Sequence, residues 1–271
     1  MSQHVRRSPH MNVMVEAAEK AGRGLLRDFG EVENLQVSRK GPGDFVSNAD
    51  LKAEKTVMAV LQKARPKFSF LMEESGETIG EDTANRWIVD PLDGTTNFLH
   101  GIPHWAVSIA LEKDGEIIAG VIYDPIKDEM FTAEKGVGAL MNNRRLRVSG
   151  RENLADALLA VGSEKDPAFA PEIVSLQGNC SGIRRNGSAC LDLCYVAAGR
   201  FDAYWERGLN AWDVAAGALI AKEAGAHVSE IGGGKSFIHG RNSIIAANPR
   251  IYPPLAKHIA SAAPQKARSA S

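Results

Sequence analysis

Asp50, Glu73, Asp90, Asp93 and Asp213 are the acidic positions whose setting suggests chemistry, and two of them fall in one short stretch, W-I-V-D-P-L-D-G-T-T-N-F, at residues 87–98. A short apolar strand delivers Asp90 at its end. Pro91 is expected to break the strand ladder, and residues 93–96 to turn the chain. Two carboxylates, the intervening Leu92 carbonyl and the hydroxyls of Thr95 and Thr96 would then face one small volume. Hard oxygen ligands of this kind suit Mg²⁺. A helix starting near Thr95 would add free N–H groups, which suit phosphate. Taken alone, the same residues also make an ordinary capped turn in which Asp93 and Thr95 satisfy nearby backbone.

The other acids widen the pattern. Glu73-Glu74-Ser75 follows the apolar run 68–72, so Glu73 also sits just past a strand. Trp212-Asp213 opens a helix whose apolar face runs through Ala216, Leu219, Ile220 and Ala224 and stops at Gly225. Asp50 lies near the start of an earlier helix. By itself each helix acid also reads as a partner for the positive end of the helix dipole. Carboxylates gathered without a cation would raise each other's pKa, so the set makes sense with metal bound.

The elements that must position these residues follow from periodicity. Residues 11–29 carry Met14, Ala18, Ala21, Leu25 and Leu26 at helical spacing, closed by Gly30. Residues 38–44 contain Gly41-Pro42-Gly43 and read as a mobile loop or turn. A second helix spans about 48–65, with Val57, Val60, Leu61 and Ala64 inward. Strands are expected at 87–89, 106–111, 116–123, 130–134 and 139–142, with a hairpin turn at Lys113-Asp114-Gly115. From about Leu158 short strands alternate with helices near 167–176, 188–198, 212–224 and 249–262. The first part is thus α+β with an antiparallel sheet and the second an α/β layer, divided into residues 1–150 and 151–271.

Composition bounds the function. The chain has 271 residues, a formal net charge of -1, 44% hydrophobic and 24% charged residues. This balance gives no push toward nucleic acid or membrane. Cys180, Cys190 and Cys194 make no disulfide framework, which points to a reducing cytoplasm. No export or membrane-spanning segment is expected, and residues 264–271 read as a frayed end.

The order Asp50, Glu73-Glu74, Asp90-Pro91-Leu92-Asp93-Gly94-Thr95 and Trp212-Asp213 resembles the metal-binding, lithium-sensitive signature of the inositol monophosphatase family, within the group that includes fructose-1,6-bisphosphatases. The resemblance runs from about residue 11 to 262 and is similar in cast to the bacterial suppressor-type members. It implies a layered αβαβα sandwich and an Mg²⁺-dependent, lithium-inhibited homodimeric phosphatase acting on inositol monophosphate. By the same resemblance, Glu73, Asp90 and the Leu92 carbonyl hold a first metal and Asp90, Asp93 and Asp213 a second, with Glu73 reaching a third through water. Asp50 and Thr95 resemble the pair that orients and deprotonates the attacking water. Gly94 and Thr95 offer N–H groups to phosphate, and Asp93, Ala189 and Glu206 match positions that contact inositol hydroxyls. The family's isoleucine between the two aspartates is Leu92 here. Its mobile-loop lysine aligns with Arg39, beside Lys40, and either could guard the site.

Related sugar, histidinol or nucleotide phosphatases share the core motifs and remain the alternative. So does a binding role, because similar bacterial proteins have been linked to RNA polymerase and ribosomal-RNA transcription complexes. Glu206 could equally be a surface acid paired with Arg207. Gly232-Gly233-Gly234-Lys235-Ser236 imitates a P-loop but has Ser229 where glycine is required, so a turn is expected. His100 and His104 are poor zinc ligands because Gly101 and Pro103 interrupt a helix there. Cys190 and Cys194 read as small buried apolar residues, and Arg144, Arg145 and Arg147 as a solvated hairpin.

Overall fold

Helix α1 (Pro9–Phe29) starts where Ser8 accepts a hydrogen bond from the Met11 N–H and Pro9 presets the first turn. It buries Met14, Ala18, Ala21 and Leu25, as periodicity predicts, but Leu26, at the edge of that face, is 38% exposed. The structure, a computed structural model, describes residues 7–31, 37–41, 44–162, 169–239 and 243–262, with backbone alone for 37–41 and 44–46. Expectations for Pro42, Gly43, Pro167, residues 264–271 and the side chains of Arg39 and Lys40 lie outside the described residues.

Residues 38–44 are not simply a loop. Strands β1 (Val37–Gly41) and β2 (Asp44–Ser47) pair antiparallel, from Val37 with Ser47 to Gly41 with Asp44. Gly41 closes β1 and Asp44 opens β2, so the polar run holds two paired strands that its composition hides. Helix α2 (Asn48–Ala64) follows directly and packs on α1.

A first sheet is built from β3 (Phe68–Met72), β4 (Gly76–Thr78), β5 (Asp82–Asp93) and, after the short helix α3 (Thr95–Leu99), β6 (Ala106–Lys113), β7 (Glu116–Asp124), β8 (Glu129–Glu134), β9 (Gly138–Met141) and β10 (Arg144–Arg145). Their order is β10-β9-β8-β7-β6-β5-β3-β4. Asp114 and Gly115 both have positive φ, 50° and 79°, and close the β6–β7 hairpin as the Asp-Gly pair predicts. The sheet is antiparallel except for one pair: β3 runs parallel to β5, with Met72 opposite Val89. That exception, not foreseen, brings the ends of both strands to the same edge.

The second sheet interleaves with helices: β11 (Leu158–Val161), α4 (Phe169–Leu176), β12 (Gly182–Arg184), α5 (Ala189–Ala197), β13 (Ala203–Arg207), α6 (Ala211–Glu223), β14 (His227–Ser229), β15 (Ser243–Ala247) and α7 (Tyr252–Ala262). The order is β12-β11-β13-β15-β14, with β11 parallel to β12 and β13 and with β15 antiparallel to both neighbours.

Period-two side-chain alternation assigns the layers. On β5 and β6, Trp87, Val89, Val107, Ile109 and Leu111 join α1 and α2, whereas Ile88, Ala106 and Ala110 join α5 and α6. On β13 and β15, Tyr204, Ile244 and Ala246 also face α5 and α6, while Trp205, Ile245 and Ala247 face α7. The result is a helix–sheet–helix–sheet–helix sandwich. Sheets covered on both faces explain why their strands read as continuous apolar runs. The same geometry corrects the expected apolar face on α6. Residues 214–221 are buried all round, because the helix lies between two sheets. Gly120 permits the close approach: a β-carbon there would lie 3.0 Å from the Ala216 Cα and carbonyl oxygen.

Candidate active site

Asp90 sits on a strand that does not end where expected. β5 continues through Pro91 to Asp93, and the pairing shifts from Asp90 opposite Ser108 to Asp93 opposite Ala106. The extra residue is a bulge, which accommodates the proline's missing donor and re-aims the flanking carboxylates. The Leu92 N–H donates to Asp90 Oδ1 at 2.9 Å, and the Leu92 side chain is fully buried. Gly94 then turns the chain at φ 93° as the N-cap of α3, where a side chain would press on the His104 carbonyl and Trp105. The Asn97 amide, on α3, donates to the His104 and Asn186 carbonyls at 2.8 and 2.7 Å and ties this segment to the entry of α5.

Glu73 leaves β3 beside Asp90, its N–H donating to the Val89 carbonyl at 3.2 Å. Asp213 enters from α6, where its Oδ2 accepts from the Asn210 N–H at 2.6 Å. Asp93 Oδ2 accepts from the Ser188 hydroxyl and, at 2.8 Å, from the Cys190 N–H at the start of α5. Glu73, Asp90, Asp93 and Asp213 therefore converge from β3, the two sides of the β5 bulge, and α6.

Their electrostatics follow. Burial, then the charges of Glu73, Asp93 and Asp213, push the Asp90 carboxyl well above the usual range. Asp213 is also raised well above it, by burial against the relief of the Asn210 N–H, with Asp93, Glu73 and Glu206 adding to the rise. Asp93 is raised by burial, opposed by Ser188 and Cys190. This mutually repelling oxygen-donor set fits divalent cations, which would bind to the carboxylates of Glu73, Asp90, Asp93 and Asp213. The Leu92 carbonyl, which the Thr95 hydroxyl approaches at 3.0 Å, retains a further lone pair for such an ion.

Asp50 stands slightly apart. It completes a capping box: Asp50 Oδ2 accepts from the Ser47 N–H at 2.8 Å and the Ser47 hydroxyl at 2.6 Å. Its other oxygen faces Thr95 Oγ1 at 3.2 Å. The fully buried carboxyl is raised by desolvation, with Ser47 and Thr95 opposing the rise.

Beyond the carboxylates lies a pocket of about 210 Å³ lined by Asp93, Ser188, Ala189, Asp192, Glu206 and Asp213, among others. Glu206 accepts from the Tyr204 hydroxyl, while Arg207, on the opposite face of β13, donates to Glu172 at 2.5 Å. Gly162 leaves room for Glu206 in its present position, since a β-carbon there would displace the carboxylate.

Sequence reading missed Ser188, Asp192 and the polar side of Cys190. Asp192 is buried, accepts from the Asn186 amide at 2.9 Å and is raised well above the usual range by burial, with Asn186 opposing and Glu206 and Asp93 adding. The Cys190 thiol is buried as expected, but it lies in one cluster with Asp90 and Asp93 and donates to the Asp213 carbonyl at 3.3 Å. The S-A-C-L-D run after a glycine, capping a short helix, was the available signal. The remaining motifs behave as expected: Gly232 and Gly233 form a turn with φ 99° and 97°, and Arg144, Arg145 and Arg147 are exposed.

The model of the inositol monophosphatase family matches residues 6–266. The chain belongs to that family. An inositol-1-monophosphatase of Mesorhizobium japonicum is 57% identical over 258 residues, covering 93% of this chain and 97% of its own. The Nus factor SuhB of Escherichia coli is 43% identical over 248 residues, covering 90% and 92%. The crystal structure of the extragenic suppressor protein suhB from Bartonella henselae superposes with a TM-score of 0.91 at 57% identity, covering 93% and 98%. Family membership makes the chain a phosphoric monoester hydrolase with the family's layered α/β sandwich.

Proposed function

We propose that the chain hydrolyses inositol monophosphate to inositol and inorganic phosphate with Mg²⁺ as its metal. The reading is carried by the convergence of Glu73, Asp90, Asp93 and Asp213 on one buried volume. Bound divalent cations in such a site lower the pKa of water and neutralise charge on the attacking and leaving oxygens. The chain's own residues supply the rest. Glu73, Asp90, Asp93, Asp213 and the Leu92 carbonyl hold the cations. A water donating to Thr95 Oγ1 is oriented by a hydroxyl that in turn points at Asp50. Desolvation makes Asp50 a better proton acceptor than an exposed aspartate, so Thr95 and Asp50 together serve as general base. Water attacks phosphorus directly, and no phosphoenzyme forms. The Gly94 and Thr95 N–H groups offer donors to the phosphoryl oxygens.

Selectivity for a polyol rests on Glu206, Asp93 and the Ala189 backbone at the pocket wall. A site built to hydrogen-bond a hydroxyl rejects analogues that lack it, because a buried partner is left unpaired. Phosphate release from inositol, sugar and nucleotide phosphates, with Mg²⁺, with EDTA and with Li⁺, tests the reading. Selective, EDTA-sensitive and lithium-inhibited release from inositol 1-phosphate is expected. Metal-dependent release favouring another phosphate would keep the site and change the substrate.

The Nus factor names among relatives at 41–44% identity support a second role, binding to a transcription complex. A homodimer rests on the resemblance read from the sequence, and a cytoplasmic location on its cysteine usage. Asp93→Asn separates the two roles: complex binding survives the loss of turnover if it does not use this site.

A further inference from the structure

At the far end of α6 from Asp213 lies a second pocket, of about 280 Å³, that the hydrolytic reaction does not use. It is bounded by the β6–β7 hairpin, the last turns of α6 and the segment 235–238. Its floor is apolar and almost wholly buried: Ile117 is 7% exposed, Leu219 6% and Phe237 4%. Lys135, Lys222 and Lys235 stand at its rim.

The acids at the rim are already engaged. Glu223 accepts from the Gly136 and Gly138 N–H groups, both at 2.8 Å, and Glu116 is paired with Lys135. Lys222 lies with its Nζ 4.5 Å from the Phe237 ring centroid, a cation held on an aromatic face. Among the described residues, neither Lys222 nor Lys235 has a carboxylate within ion-pair distance. Burial, together with the charge of Lys235, lowers the Lys222 pKa despite the opposing pull of Glu116. The carbonyl end of α6 accounts for a lysine at position 222. It does not account for the second lysine, which a separate segment brings to the same rim.

We infer that this pocket binds a small organic anion, its carboxylate, sulfonate or phosphate held by Lys222 and Lys235 and its ring or alkyl body resting on Ile117, Leu219 and Phe237. A partly desolvated ammonium gains more from an anion than an exposed one does. The volume, at the small end of ligand sites, suits a single ring. The anionic group and the apolar body are both required, because neither half of the pocket alone supplies much affinity.

Benzenesulfonate, which a phosphatase cannot hydrolyse, is the probe, titrated into the Mg²⁺-loaded full chain while methyl NMR signals are followed. The Ile117, Leu219 and Ile238 methyls are expected to shift saturably with a dissociation constant in the millimolar range, and inorganic sulfate to leave them unmoved. Lys235→Gln, an exposed change that leaves the fold intact, and Lys222→Gln are each expected to weaken binding about tenfold. Absence of a saturable shift would overturn the inference, as would equal affinity in Lys235→Gln. A sulfate response as strong as that to benzenesulfonate would also overturn it, by showing that the apolar floor contributes nothing.

Discussion

The starts of α2 and α6 use one local device for two different ends. Each helix carries an aspartate at its third position, Asp50 or Asp213, that accepts the N-cap residue's own N–H. In each case reading the acid as a partner for the positive end of the helix is correct and incomplete. At α2 the carboxylate meets hydroxyls, from Ser47 and Thr95. At α6 it meets other carboxylates, Asp93, Glu73 and Glu206. Capping fixes where the group sits, and its neighbours decide what it does. On the proposed mechanism, burial makes Asp50 the proton acceptor while its hydroxyl partners orient it, and the carboxylates around Asp213 would make a cation seat.

Breaking the cation seat should have the largest effect. Asp213→Asn keeps an oxygen for the Asn210 N–H, so circular dichroism should stay native while turnover falls by about 10²–10³-fold or more. Near-wild-type turnover would remove Asp213 from the metal set. Breaking the proton acceptor should be distinguishable. Thr95→Ala should lower kcat by about 10²–10⁴-fold yet leave Mg²⁺ affinity, measured by calorimetry, within a few-fold. If the affinity collapsed with kcat, the two helix starts would not have separate roles.

The comparison sharpens with pH. The folded pKa values of Asp90, Asp93 and Asp213 are raised, so the metal-free chain binds more protons than its unfolded form. Their contribution to stability is full below the ordinary carboxylate range and is lost as pH rises through the folded values. In EDTA, Tm should therefore fall as pH climbs from that range, and Mg²⁺ should restore it, by about 2.7 kcal/mol at a hundredfold excess over the dissociation constant. A Tm in EDTA that rises with pH throughout would contradict the repulsion described for this cluster. The smallest effect tests the cap alone. Ser47→Ala should cost about 1 kcal/mol in denaturant unfolding and change kcat little, since Thr95 still faces Asp50.

Much of this was legible because local signals dominate where a chain segment is self-contained. The spans of α1 and α2, the Asp-Gly hairpin and the acid-rich stretch at 90–95 all announce themselves within a few residues. Features set by distant partners did not. Pro91 reads as a strand end, yet the partner strand β6 carries the ladder past it through a bulge. Parallel pairing of β3 with β5 has no local mark, although it places Glu73 beside Asp90. Ser188 and Cys190 reach Asp93 across more than 90 positions of sequence, a contact that only the layer stacking creates. The all-round burial of α6 is of the same kind, because a helix between two sheets loses the polar stripe by which helices are usually oriented.

That central layer also sets a timetable for synthesis. The inner face of the first sheet uses Ile88, Ala110, Ile122 and Phe131, all made early, and is covered by α5 and α6, which end only at Glu223. On a ribosome adding ~5–20 residues per second, the strands finished by Arg145 wait roughly 4–16 seconds for their cover. During that interval a broad greasy surface is open to strangers, so the nascent chain, more than the finished molecule, should need a chaperone's company.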